Sequence, residues 1–264
     1  MCDFHDATDE RALHVVARQG VEDGVRVWVG SAGLAAAMVP ALVEKGLHFA
    51  GHAEDDDKSE GEWHEGNPVV VVAGSVHPVT VAQVAATTSV GVAHLAIDPR
   101  RLETWPSAAT LDGALAGDDR PVHSTHPSAV GPYSHTFPRQ SGETSLSRTT
   151  LIISTHAHLP DGAPPETWTA GAVSFLDRVA DALARRLTSG AKFALVVTGG
   201  ETAQLLFARL GASAIDVTGE VLPGIPTGRL DVGGHVVPIV TKSGGFGTDL
   251  DLMSIITGTA QTRA

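Results

Sequence analysis

The chain has 264 residues, 42% of them hydrophobic and 18% charged, a globular mixture able to bury a substantial core. Its 18 Lys and Arg stand against 30 Asp and Glu, a formal charge of −12, and such a surface disfavours non-specific binding to a nucleic-acid backbone. A single cysteine, Cys2, excludes an internal disulfide and a thiolate metal cluster.

The stretch Met1 to Asp6 has neither a basic region nor an apolar run, and no segment approaches the ~20 apolar residues that span a bilayer. A cytoplasmic location without a membrane partner is expected. Residues Asp9 to Gln19 place Leu13, Val16 and Ala17 at helical spacing. Val25 to Val29 alternates as a strand would, and Gly30-Ser31-Ala32-Gly33 then opens an Ala-rich helix ending near Lys45-Gly46. Residues 54–65 hold seven acids against Lys58, which reads as a solvated loop.

Pro68 to Ala73 is an apolar run of the kind found in a buried parallel strand. Gly74-Ser75 turns the chain, and Pro78 stands where a first helical residue would. Val92 to Ile97 reads as another buried strand, whereas residues 118–148 have no period and read as a long loop. Leu151 to Ser154 restores a strand, and a helix follows between Glu166 and Leu187. Phe193 to Val197 is the clearest strand of all. Thr198-Gly199-Gly200-Glu201-Thr202 leads from it into a helix that Gly211 terminates. The last third is rich in Gly and Pro up to Pro238-Ile239-Val240-Thr241. Lys242-Ser243-Gly244-Gly245-Phe246-Gly247 then precedes a short helix from about Asp249. Strands alternating with helices predict an α/β fold: a largely parallel sheet with helices on both faces and a ligand site at glycine-rich strand-to-helix turns.

Three such turns stand out, at Gly74-Ser75, at 198–202 and at 242–247. Glycine lets a backbone approach a ligand closely, and the free amides of a first helical turn face an anion. Glycines also simply make tight turns, but three of them after apolar strands point toward a phosphate site. Neither a Gly-x-x-x-x-Gly-Lys-Ser/Thr loop nor a Gly-x-Gly-x-x-Gly after a strand is present. Val29-Gly30-Ser31-Ala32-Gly33 has valine where a nucleophile elbow needs its first glycine, which disfavours a serine hydrolase. His123 with His126 and His156 with His158 lack accompanying cysteines or a clear carboxylate pair, so solvated histidines are expected and no metal ligand is assigned. Asp249 reads as a cap for the last helix before a base or a magnesium ligand.

Val196 to Ala203, Gly219 to Pro226 and Thr241 to Gly247 resemble, in order and spacing, the signatures of the C-terminal domain of the four-carbon acid sugar kinase family. Ala73-Gly74-Ser75 with Thr80 and Gln83 is similar to that family's earlier Gly-Ser turn and following helix, and Gly30 to Leu34 to the segment joining its two domains. The resemblance implies residues 1–29 as a remnant of the end of the substrate domain or linker. It implies a nucleotide-binding domain over 30–264, with mobile loops at about 51–66 and 118–148. It further implies ATP with Mg2+ as cofactors. Ser75, Gly199, Gly200, Glu201, Thr202, Gly244 and Gly245 would be the nucleotide contacts. Lys242 would be either a positive charge near a phosphate or half of a structural salt bridge.

This chain departs from the family pattern twice. The acidic Asp-Asp-x-Thr-Gly motif of the sugar-acid domain is absent, the chain starting near that domain's end. His77 replaces a serine two places after Ser75, where imidazole can still donate a hydrogen bond. No catalytic base is identified. The resemblance therefore implies phosphoryl transfer from ATP to a tetronate-type hydroxyl, completed by a separately encoded substrate domain. The alternative is a non-catalytic nucleotide-binding module or truncated relic. A lost domain would leave an apolar face, so self-association is expected.

Overall fold

The computed structural model describes residues 5–47, 63–64, 66–98, 105–116, 150–155 and 165–258. The loop expected at 118–148 and the histidine pairs at 123/126 and 156/158 lie outside these residues. So does most of the acidic block at 54–65. The chain divides into two compact units, Met1–Glu60 and Gly61–Ala264.

In the first unit, helix α1 spans Glu10–Glu22, and the Asp9 carboxylate caps it by accepting from the Ala12 amide at 2.8 Å. Helix α2 spans Ala32–Glu44 and ends in Lys45 and Gly46, the latter at φ +85. Ala17 and Val21 pack against Leu34, Ala37 and Ala41. The expected strand at Val25–Val29 does not form. Its alternating valines have no partner strand among the described residues to complete a ladder, and Val27 and Val29 are 81% and 92% exposed. Without that strand the Gly30–Gly33 segment also loses the framework of a nucleophile elbow.

The second unit is built on a seven-stranded sheet. Its strands are β1 (Val69–Ala73), β2 (Ala93–Ala96), β3 (Thr150–Ser154), β4 (Ala194–Thr198), β5 (Ile215–Leu222), β6 (Ile225–Val232) and β7 (His235–Lys242). They are ordered β2-β3-β1-β4-β7-β6-β5. The first five in that order run parallel, and the β7-β6-β5 edge is antiparallel. The helices are α3 (Pro78–Ser89), α4 (Ala108–Ala116), α5 (Pro165–Thr188), α6 (Gly200–Leu210) and α7 (Asp251–Ile256).

Alternation along each strand sends side chains to two cores. Val70, Val72, Leu151, Ile153, Leu195, Val197 and Ile239 meet α4, α5 and α6 on one face. Val69, Val71, Ile152, Val196 and Val240 meet Val84 of α3 and Leu252, Ile255 and Ile256 of α7 on the other. Trp63 joins this second core and donates its indole N–H to the Ile255 carbonyl at 2.8 Å. Burial on both faces is why the parallel strands read as continuous apolar runs.

Candidate functional site

Strands β1, β4 and β7 are neighbours in the sheet, and their last residues are in register, Ala73 opposite Thr198 and Thr198 opposite Lys242. The three glycine-rich turns therefore leave the same edge of the sheet side by side. The Gly199 amide donates to the Lys242 carbonyl at 2.8 Å and ties the second turn to the third.

The approach is close enough to require glycine. Gly199 sits at φ +99, and a Cβ built on it would stand 3.0 Å from Ser75 Cβ and 3.2 Å from Thr202 Oγ1. A Cβ on Gly244 would overlap Ser75 Oγ, and one on Gly74 would overlap Thr202 Oγ1. Gly245 faces the His77 ring, with Nε2 3.2 Å from its notional Cβ. Ser75 is thus the meeting point of all three turns. Thr202 is buried beneath them, while Gly200 looks into open space with nothing within 4 Å of a notional Cβ. Ser75, Gly199, Gly200, Glu201, Thr202, Gly244 and Gly245 come together on one rim.

This rim is rich in unused donors. Gly199, the N-cap of α6, offers no side chain, and the amides of Gly200, Glu201 and Thr202 have no acceptor among the described residues. Glu201 adds an exposed carboxylate at the positive end of that helix. Gly244 and Gly245 likewise donate to no acceptor among the described residues. The carbonyls of that loop are instead engaged from inside. The Thr80 hydroxyl donates to Gly244 at 2.8 Å, and the Gln83 amide to Phe246 at 3.2 Å and to Thr248 at 2.7 Å.

The Lys242 ammonium donates to the carbonyls of Ser243 and Phe246 at 2.8 and 2.9 Å. It is 3% exposed, and burial lowers its pKa below the ordinary lysine value while the field of Asp251 opposes that shift. Lys242 therefore braces its own turn from within. Asp249 does not cap the last helix. Leu250 stands at that cap without a side-chain bond, and Asp251, the first helical residue, accepts from the Thr248 amide at 3.0 Å and the Thr248 hydroxyl at 2.6 Å in the turn that leads into the helix. His77 caps α3, its Nδ1 accepting from the Val79 amide at 3.3 Å. A neutral ring in that arrangement carries its proton on Nε2, the atom beside Gly245.

Sequence reasoning missed Thr155, which follows β3 and donates its hydroxyl to the Gly74 carbonyl at 3.3 Å. The polar pair Ser154-Thr155 ending an apolar strand was the available signal. Among the described residues, no group of three or more His, Cys, Asp or Glu could hold a metal ion.

Residues 140–252 match the family described as the nucleotide-binding C-terminal domain. The D-threonate kinase of Bordetella bronchiseptica is 32% identical to this chain over 247 residues, 92% of this chain and 48% of that protein. This chain is similar to the four-carbon acid sugar kinase family, with the nucleotide-binding C-terminal domain matched over 140–252. It spans about half the length of the curated relative it matches. A family structure from Bordetella bronchiseptica, a domain of unknown function with bound citrate in a domain-swapped dimer, superimposes with a TM-score of 0.50 at 26% identity. The superposition covers 98% of this chain and 53% of that one. A Haemophilus influenzae protein gives a TM-score of 0.56 at 18% identity over 97% of this chain and 52% of its own, which shows the shared fold. Among the described residues, no helix is long and apolar enough to cross a membrane.

Proposed function

We propose that this chain is the ATP-binding part of a sugar-acid kinase. The observation that carries the reading is the convergence of three glycine turns on Ser75, with the amides of Gly200, Glu201, Thr202, Gly244 and Gly245 lacking acceptors among the described residues. An anion with several oxygens suits such a rim, because backbone amides and a helix N-terminus supply a fixed positive field. Open space over Gly200 leaves room for it. The residues also suit a hard cation that arrives with the nucleotide, since magnesium is held mainly by phosphates and water with one or two carboxylates. Glu201 offers such a carboxylate. Magnesium bound there would neutralise charge on the phosphates.

Phosphoryl transfer asks a protein chiefly for positioning and charge stabilisation. This rim does the donor's half of that work. Ser75 and the two sets of amides hold the phosphates, and the buried Thr202 keeps the turns in register. Holding the acceptor hydroxyl and taking its proton falls to a substrate-binding domain, and the acceptor class is a four-carbon sugar acid, as in the D-threonate kinase relative. A cytoplasmic setting, where ATP is abundant, fits this role.

The test has two arms. Calorimetry with ATP and Mg2+ is expected to give one site per chain, and mixing with a substrate domain of the family should give tetronate-dependent ADP release. Binding without turnover in any such mixture would leave the non-catalytic module as the correct reading. Absence of binding would end both. Self-association is part of the proposal. The first unit leaves Val15, Val27, Val29, Val39 and Val43 exposed, and the Bordetella structure is a domain-swapped dimer. A monomeric mass by sedimentation at micromolar concentration would contradict it.

A further inference from the structure

In the loop at 243–248 the Gly244 and Gly245 amides have no acceptor among the described residues, while the loop's carbonyls are captured by side chains. Ser243, Gly244, Phe246 and Thr248 each give their carbonyl to a side chain behind the loop, and those side chains are Lys242, Thr80 and Gln83. All three are buried, Thr80 and Gln83 completely. Packing alone does not account for them. Burying an ammonium, a hydroxyl and a primary amide is costly unless their hydrogen bonds are made. Gln83 even leaves its Oε1 without a partner among the described residues. An apolar side chain would fill the same space without that penalty, but it would free the carbonyls to turn toward the rim and repel an anion there.

We infer that Thr80, Gln83 and Lys242 are positioning residues for the bound phosphates, holding the 243–248 loop so that the Gly244 and Gly245 amides face the ligand. They act through the loop and do not touch the nucleotide. This inference rests on the ATP-binding reading above and adds to it the groups that set the orientation of one wall. It also gives a role to the Thr80 and Gln83 side chains, which lie one helical turn apart on α3.

The experiment compares the wild-type chain with Thr80→Val, which keeps the volume and loses the hydroxyl donor, and with Thr80→Ser, which keeps the donor. For each, ATP affinity with Mg2+ is measured by calorimetry and the melting temperature without ligand is recorded. Thr80→Val is expected to bind ATP about 10-fold more weakly at a melting temperature within a few degrees of wild type, and Thr80→Ser to stay within about 2-fold. If Thr80→Val does not fold, Gln83→Met, which removes the donor to Phe246 and Thr248, takes its place with the same expected loss. Wild-type affinity in a folded Thr80→Val or Gln83→Met would overturn the inference and leave the ATP reading standing. So would equal losses in Thr80→Val and Thr80→Ser. A wild-type chain that binds no ATP would overturn both, and the wild-type titration alone reveals that case.

Discussion

The turn after β4 and the loop after β7 face the same serine, yet they acquire free amides in different ways. At 200–202 the donors lack an acceptor among the described residues because a helix begins there. Gly199 at φ +99 provides the entry angle but no capping side chain, and the first-turn amides have no acceptor among the described residues. At 243–248 there is no helix to aim the peptide groups. Three buried side chains draw the carbonyls inward, so the orientation is written in residues far apart in the chain, Thr80 and Gln83 on one side and Lys242 on the other. The first wall depends on backbone conformation and the second on side-chain chemistry, so they should fail differently.

The largest effect is expected at the first wall. Gly199→Ala places a side chain at a strained positive φ and against Ser75 Cβ, and should cost about 2 kcal/mol in urea unfolding. A loss below about 0.5 kcal/mol would show that this turn is free to relax. Gly244→Ala carries no positive-φ strain, but its methyl collides with Ser75 Oγ, so about 1 kcal/mol is expected together with weaker ATP binding. Unfolding at the wild-type urea concentration would mean the close approach is absent.

Gly200→Ala separates stability from binding. Nothing lies near the new methyl, and alanine favours the helix by a few tenths to ~1 kcal/mol, so the protein should be slightly more stable. The same methyl stands in the open mouth and should weaken ATP binding. Undiminished affinity would move the ligand away from this helix.

The smallest effect is a pH dependence at the second wall. Burial lowers the folded pKa of Lys242 below its ordinary 10.5, so between those two values the unfolded chain binds more protons and stability rises with pH. On this account the contribution is complete above 10.5 and is lost as the pH falls through the lowered folded value. The stability difference between wild type and Lys242→Met should therefore grow in favour of wild type as the pH approaches 10.5 from below. A flat difference would mean the ammonium is not desolvated.

The same contrast explains what could be read before any coordinates. Strands β1, β3 and β4 were legible because both faces are buried and their apolar runs are unbroken. The glycine turns were legible because each follows such a run. Strands β5 and β6 were missed. Gly219, Pro223, Gly224, Pro226 and Gly228 punctuate them, and most of β5 is not fully buried, as befits an antiparallel edge. Gly228 is in fact a strand residue, since a Cβ there would run into the Asp216 carbonyl. Val25–Val29 misled in the opposite sense, since alternation specifies a strand only where a partner strand exists. The inward role of Lys242 was hidden for a related reason. Which carbonyls surround an ammonium depends on how a loop folds back, and local spacing carries no record of that.

The most direct measurement is an amide NMR titration of the labelled chain with ATP and Mg2+. The account predicts shifts concentrated at Ser75, at Gly199 to Thr202 and at Gly244 and Gly245, moving together with one affinity. Shifts confined to one of these turns, or centred elsewhere on the chain, would contradict a single phosphate site shared by all three.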